Sequence, residues 1–352
     1  MNNAFVGNGL FGSLFGDAAT ASAFGASQVL GRMIAFETAW TRALIAAGIV
    51  EEADGALALG AIGAFHAGSF SGAASDVDGV PVPSLVAALR AGLPPGAARA
   101  IHTGATSQDV IDTAMVLCCL TVLDDFDARL GGLDLALGGL ERRVGAAPLM
   151  ARTRMQAALP ATAALRLGAW RRLVQAQRDR ARALRADLAR VQVGGAIGLR
   201  DLPDGKGEAV AAAVAQALGL GVTAVWHADR SAMVGLGHWF TLVAGAMGKI
   251  GQDVALMAQQ GVDEITLAGG GGSSAMAHKQ NPILAETMVA LARHVAGLQG
   301  TLAQAMIHEQ ERSGAAWPLE WLTLPAMAEA TGATLRHTAR LIASVTRMGT
   351  PG

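Results

Sequence analysis

Four stretches of this chain place apolar residues three and four positions apart for longer than an ordinary globular helix runs: Asp112 to Arg143, Ala163 to Val193, Ser231 to Gln260 and Ile283 to Gln310. Ile34 to Ala47 has the same period over a shorter span. Helical stripes of such length bury themselves against one another, and alternating patterns bounded by hairpin turns are scarce. The chain is therefore expected to be all-α, with a long central helical bundle. Apolar residues make up 52% of the 352 positions, with aromatics at 4% and no Tyr, so the core is mostly Ala, Leu, Val and Met and suits close helix packing. That length exceeds what one compact core usually serves. Breakers cluster around Gly72 to Pro95, Gly194 to Gly207 and Gly269 to Gly272, and from Pro318 onward. Pro81, Pro83, Pro94 and Pro95 are read as the end of a smaller N-terminal helical domain, residues 1–105, ahead of a central bundle domain, residues 106–322.

The 27 basic and 28 acidic residues leave a formal net charge of -1, which gives no electrostatic case for nucleic acid or an anionic membrane. Arginines crowd Ala163 to Val193, yet Asp179, Asp187 and a regular Leu spacing make that stretch a solvated bundle helix. A small-molecule substrate is the default. Ala209 to Trp226 carries no charge, but Gln216, Gly219 and Gly221 interrupt it, so it is read as a buried helix ending at Gly219 and not as a membrane span. The N-terminus lacks the basic region of a signal peptide, and a cytoplasmic enzyme is expected. The two cysteines, Cys118 and Cys119, are adjacent in an apolar run and are read as small buried hydrophobes.

In so apolar a chain, polar residues gathered between helices point to chemistry. Ile101 to Ala114 (IHTGATSQDVIDTA) sets His102, Thr106, Ser107, Gln108 and Asp109 just ahead of a long apolar run. One hydroxyl is enough for an N-cap. This stretch adds a His, a second hydroxyl, an amide and a carboxylate, at a helix N-terminus suited to an anion. Ala151 to Pro160 (ARTRMQAALP) carries Arg152, Arg154 and Gln156 ahead of a helix expected to start after Pro160. In Gly269 to Glu286 (GGGGSSAMAHKQNPILAE), four glycines precede Ser273, Ser274, His278, Lys279 and Asn281. Four glycines cost much backbone entropy to order, so a lid that closes its polar end over a substrate is the better reading. A Walker loop is excluded because Lys279 is followed by Gln280. His308 to Trp321 (HEQERSGAAWPLEW) joins His308, Glu309, Glu311 and Arg312. Its H-E-x-x-R lacks the second ligand of an H-E-x-x-H zinc site, and no other His/Cys cluster has metal spacing. Neither metal nor cofactor is expected.

Taken together, GSSAMAHKQNP, TGATSQD, RTRMQ and HEQERS resemble the ordered signature regions of the fumarase/aspartase superfamily, the G-S-S-x-M-x-x-K-x-N core from Gly272 to Asn281 being the most specific. The resemblance implies an α-helical homotetramer whose central helices form one bundle. It also implies active sites built from segments of three chains, and reversible elimination next to a carboxylate without a cofactor. Within the superfamily, HxGATSQDxIDTA, AHKQNP and HEQERS with the Trp-rich stretch after it are most similar to the 3-carboxy-cis,cis-muconate cycloisomerases of the protocatechuate branch of the β-ketoadipate pathway. Val225 to Arg230 (VWHADR) is similar to their W-H-x-x-R-D region, with Ser231 in place of the last Asp. By this resemblance Ser273 is the proton-transferring serine, with Ser274 as its substitute, and His102 is an acid or an anion contact. Lys279 and Asn281 bind a carboxylate, with His278 beside them. Thr106, Ser107 and Gln108 hold another, and Arg312 and Arg152 neutralise a further one.

The departures are informative. Where fumarases and adenylosuccinate lyases have T-H-x-Q, this chain has Thr153-Arg154-Met155-Gln156. A guanidinium is a poor general acid, but lactonisation does not need that acid, because the attacking oxygen is already a carboxylate. The substitution therefore favours the cycloisomerases over an adenylosuccinate- or argininosuccinate-type lyase, as does the absence of Tyr. A catalytically silent homologue kept as a scaffold is disfavoured by the retention of Ser273, Lys279, Asn281 and His102. Ala277 replaces the loop proline, and residues 323–352 are read as a helical remnant of a C-terminal domain that is truncated or absent.

Overall fold

The computed structural model describes residues 9–66, 68, 70, 75–269, 271–272 and 280–351. Ser273, Ser274, His278 and Lys279 lie outside the described residues. The expected bundle is present: the long apolar repeats are the helices Ser107–Val144, Ala163–Leu188, Ser231–Met257 and Ile283–Ala303, followed by Trp317–Ser344. The shorter pattern at Ile34 belongs to Ala26–Ala46. Local chemistry sets the ends. The Asp109 carboxylate accepts the Thr106 N–H at 3.1 Å in a capping box that starts the 38-residue helix. The charge-free run forms Gly207–Leu218, which buries Val210, Ala211, Val214 and Ala215 and stops at Gly219, whose φ of 67° favours glycine. Among the described residues no helix is long and apolar enough to cross a membrane.

Pro318 does not act as the expected breaker. It sits in the first turn of Trp317–Ser344, where its missing N–H has no intrahelical partner to lose, and the helix runs on through residue 322.

Ser231–Met257 is the hub of the packing, lying against Ala163–Leu188, Ile283–Ala303 and Trp317–Ser344. Small residues set how closely these helices approach. A Cβ on Gly251 would stand 2.7 Å from the Ala285 carbonyl oxygen, and one on Gly248 would stand 2.6 Å from the Ala292 Cβ. Three aromatic rings meet where Ser107–Val144 packs on the hub, with the Phe126 ring 6.2 Å from Trp239 and 5.7 Å from Phe240. Cys118 and Cys119 are buried as expected, and burial pushes the Cys118 thiol up to about 11. The arginine-rich helix turns its charges to its neighbour: Arg171, Arg178 and Arg185 pair with Asp134, Asp127 and Asp124 of Ser107–Val144. Such half-exposed pairs contribute at most about 1 kcal/mol each, and the seven-residue spacing of the three arginines keeps them on the face turned to Ser107–Val144.

The segment after Val144 is the main departure from an all-helical reading. Pro148–Thr153 and Gln156–Thr162 form an antiparallel hairpin, and the next helix starts at Ala163. Short ladders also join Ile265–Leu267 to Val345–Met348, and Gly271–Gly272 to Gln280–Asn281. The hairpin escapes a periodicity search because its second strand is solvent-exposed on both faces, so no alternation of apolar and polar residues marks it.

His337 is fully buried on Trp317–Ser344, and its Nε2–H donates to the Leu14 carbonyl at 2.6 Å. Burial, and more weakly the charges of Arg336 and Arg340, hold the ring below its ordinary value of 6.5. The unfolded chain therefore takes up a proton near that pH that the folded chain refuses, so this contribution to stability is lost as pH falls below about 6.5. The urea midpoint is expected to drop between about pH 7 and about pH 5. His337→Gln, which keeps a donor for Leu14 without a titrating ring, should flatten the drop, and an unchanged slope would contradict this assignment.

Candidate active site

Thr106 heads the Ser107–Val144 helix, and three other expected residues gather around it. Arg312 Nη1 donates to the Thr106 hydroxyl at 2.8 Å, and Nη2 donates to the Ala196 carbonyl at 2.9 Å, which fixes an exposed guanidinium over the helix end. Backbone bonding in this helix begins with the Asp109 and Val110 N–H groups, so those of Ser107 and Gln108 cap the positive end of the helix dipole. An anion is favoured there, between these donors and Arg312. His102 lies one turn upstream, its carbonyl accepting from the Ala105 N–H at 3.2 Å. Its φ is 62°, in the left-handed region, and neighbours pin the backbone on both sides. Arg90 donates to the Ile101 carbonyl at 2.6 Å and Trp40 Nε1 donates to the Thr103 carbonyl at 3.0 Å. His102 Nδ1 lies 2.6 Å from Oε1 of Glu37, a residue that sequence reasoning missed.

Gln108, expected to hold a carboxylate, is fully buried: its amide nitrogen donates to Asp112 at 3.1 Å and to the His227 carbonyl at 2.9 Å, while its Oε1 has no hydrogen-bond partner among the described residues. Both N–H groups are committed to the interior.

The acids in the same run are scaffold. Buried Asp109 accepts from the backbone of Thr106, Gly194 and Gly195 and pairs with His227 Nε2 at 2.9 Å. Asp112 and Glu320 clamp a fully buried Arg230 from two sides, at 2.7 Å and 2.6 Å, over the Trp226 ring. Burial opposes the charge on Arg230, but the two carboxylates outweigh it and raise the pKa, so the guanidinium stays charged. Trp226, His227 and Arg230 of the VWHADR segment are thus core structure. His308, at the head of HEQERS, is held below the ordinary imidazole value by burial and by the Arg230 charge. Within one short motif His308 feels the buried ion group and Arg312 serves the surface.

Arg152, Arg154 and Gln156 are elsewhere, on the hairpin after Val144. Arg152 and Arg166 share buried Glu264 at 3.0 and 3.3 Å. Together with Arg154, Arg172 and Lys249 they border a cleft of about 640 Å³ with apolar walls such as Leu165 and Met257. Arg154 and Met155 form the two-residue turn, with φ of 47° and 68°. Hairpins of this kind normally use Asn-Gly there, so two bulky residues in the left-handed region mark a constraint other than stability. Asn281 pairs with Gly271 at the same end of the molecule: Ala268 donates to the Ser344 carbonyl, and Thr350 donates to the Pro148 carbonyl at the hairpin's base.

Length separates the two groups. The 38 residues of Ser107–Val144, at a rise of about 1.5 Å each, place its ends about 57 Å apart. One chain therefore brings His102, Thr106, Ser107 and Arg312 together at one end, and places Arg152, Arg154, Gln156 and Asn281 at the other.

This architecture, a long helical bundle with polar signature segments at both ends, is matched among known proteins. Residues 81–297 match the family model described as lyase, and the chain belongs to that family, the fumarase/aspartase-type lyases. It is 37% identical over 247 residues to the 3-carboxy-cis,cis-muconate cycloisomerase of Acinetobacter baylyi, covering 69% of this chain and 54% of that protein. It is 35% identical over 281 residues to the nitrosuccinate lyase of Streptomyces davaonensis, covering 76% of this chain and 59% of that protein. The matched regions are thus little more than half of these two relatives. The fold is similar to the crystal structure of the 3-carboxy-cis,cis-muconate lactonizing enzyme from Pseudomonas putida, with a TM-score of 0.88 at 32% identity, over 96% of this chain and 77% of that one.

Two arginines from neighbouring motifs should behave oppositely. Arg230→Leu leaves Asp112 and Glu320 buried without their cation and is expected to lower unfolding stability by about 3–5 kcal/mol. Arg312→Leu removes an exposed guanidinium and should stay within about 1 kcal/mol of the parent while abolishing most turnover. Urea titrations of both variants check this, and equal losses of stability would refute the division into scaffold and site.

Proposed function

We propose that this chain is a cycloisomerase that converts 3-carboxy-cis,cis-muconate to 4-carboxymuconolactone, acting without a cofactor in the cytoplasm as a homotetramer with sites shared between chains. The observation that carries the reading is Arg154 at the tip of the hairpin, in the place where other superfamily branches have the histidine of T-H-x-Q. A guanidinium there binds a substrate carboxylate and leaves no acid for a leaving amine or hydroxide. The similarity to cycloisomerases over more than two thirds of the chain supports the same choice.

In the reaction a carboxylate oxygen forms a C–O bond to the conjugated double bond, and the displaced electron pair moves toward the carbon next to another carboxylate. The resulting dianionic aci-carboxylate takes one proton at carbon, and the tricarboxylate becomes a lactone with two carboxylates. Charge builds at the carboxylate end, so fixed donors must converge there. Ser273, with Lys279 lowering its pKa, is assigned to the proton transfer, and Ser274 is its neighbour in reserve. Lys279, His278 and Asn281 bind the carboxylate beside it. Arg312, Thr106 and Ser107 hold a second carboxylate, and Arg154, with Arg152 and Gln156, a third. His102 is the second group able to carry a proton. Among the described members, Thr106, Ser107 and Arg312 lie at one end of the chain and Arg152, Arg154, Gln156 and Asn281 at the other, so a complete site calls for antiparallel neighbours.

The 35% identity to a nitrosuccinate lyase favours one other reading, elimination from a substituted succinate. Mixing the protein with 3-carboxy-cis,cis-muconate should remove the absorbance of the conjugated diene. Ser273→Ala and Arg154→Ala should each lower kcat/KM by about a hundredfold or more. Production of an unsaturated acid from nitrosuccinate or adenylosuccinate, with the diene untouched, would overturn the proposal. For the shared site, mixed oligomers of Arg312→Ala and Arg154→Ala, residues from opposite ends of one chain, should recover turnover that neither variant shows alone. No recovery would place both residues on one chain.

A further inference from the structure

Glu37 is out of place by every rule of helix patterning. Met33, Glu37, Trp40 and Leu44 follow one another along the buried stripe of Ala26–Ala46, and Glu37 is the only acid among them. Its carboxylate is completely buried, a position that costs several kcal/mol unless the charge is matched. The match is His102: Oε1 lies 2.6 Å from Nδ1, while Oε2 has no hydrogen-bond partner among the described residues. A carboxylate placed for packing or folding would use both oxygens. This one spends a single oxygen on a single ring nitrogen.

The rest of the same helix serves the same residue. Three residues on from Glu37, Trp40 holds the Thr103 carbonyl, and Thr41 donates to the Ala100 carbonyl at 3.3 Å. Arg90 takes the Ile101 carbonyl from the other side. Four fixed contacts thus surround a histidine in the left-handed region, a conformation that costs about 1 kcal/mol or more and persists only where its surroundings dictate it. The His102 side chain is 15% exposed, and with Nδ1 turned to Glu37 the ring nitrogen left for another partner is Nε2.

We propose that Glu37 is a positioning residue that holds His102 in one tautomer, with Nδ1–H donated to the carboxylate and the Nε2 lone pair presented to the substrate. This rests on the reading above, in which His102 faces substrate. A neutral imidazole can carry its proton on either nitrogen, and the partner of the other nitrogen decides which. With the proton fixed on Nδ1, Nε2 accepts a proton from substrate or solvent and returns it without ring rotation, and the imidazolium formed in between is paired with a buried negative charge.

The full-length protein labelled with ¹⁵N-histidine provides one test, with the His102 signal assigned by its loss in His102→Asn. The wild type should show the Nδ1–H tautomer in long-range ¹H–¹⁵N spectra. Glu37→Ala should release it toward the Nε2–H form and lower kcat about 10–100-fold, with KM within about threefold of wild type. Glu37→Gln, whose amide oxygen still accepts from Nδ1, should keep the tautomer and recover part of kcat. It also tests the idea if the alanine variant does not fold. An Nε2–H tautomer in the wild type, or a kcat for Glu37→Ala within twofold of wild type while His102→Asn is inactive, would overturn the positioning role alone. Full turnover by His102→Asn would remove His102 from the mechanism, and the role of Glu37 with it.

Discussion

The Asp112–Arg230–Glu320 group is the interaction on which the rest of the molecule depends. Arg230 lies at the start of the hub helix, Asp112 in the second turn of the longest helix, and Glu320 in the first turn of Trp317–Ser344. One buried guanidinium therefore fixes three helix ends to one another at the pole where exposed Arg312 lies over the Thr106 hydroxyl. Replacing such a group by apolar side chains can match its stability, but a single apolar contact does not set direction. Two bidentate carboxylates on one planar cation do set it, and Trp317 and Gln192 add further donors to Asp112.

The division between scaffold and surface at that pole is finer than the motifs that encode it. Thr106, Gln108, Asp109 and Asp112 lie within seven consecutive residues, yet only Thr106 faces the Arg312 surface, while the other three are turned into the core. The helix explains this: after the first turn, successive polar residues point in directions set by a 3.6-residue period, and only the residues at its end see solvent at the pole. HEQERS divides in the same way between His308 and Arg312.

How much of this could be read beforehand follows from the same geometry. The long helices were legible because their period persists over many turns, and so were the Gly219 stop and the helix start at Thr106. The inward turn of Gln108 was not, because a motif names residues and not the direction they face. The hairpin was not, because a strand exposed on both faces has no period. Glu37 had a signal that went unused, a single acid on a stripe of Met, Trp and Leu. The separation of the polar segments was also available, since the length of the Asp112 to Arg143 repeat already implies a rod too long for one chain to close a site around.

The Arg154–Met155 turn bears on how this protein tolerates change. Each residue occupies a backbone region that glycine enters freely and that a bulky side chain enters at a cost of about 1 kcal/mol or more. Any selection scheme that scores thermal tolerance alone, in the laboratory or by consensus, will drift toward Asn-Gly at these two positions and report an improvement. The gain in robustness would come from erasing Arg154, the residue on which the proposed cycloisomerase reading rests, so under that reading the hairpin tip is a place where hardiness and chemical identity trade directly against each other.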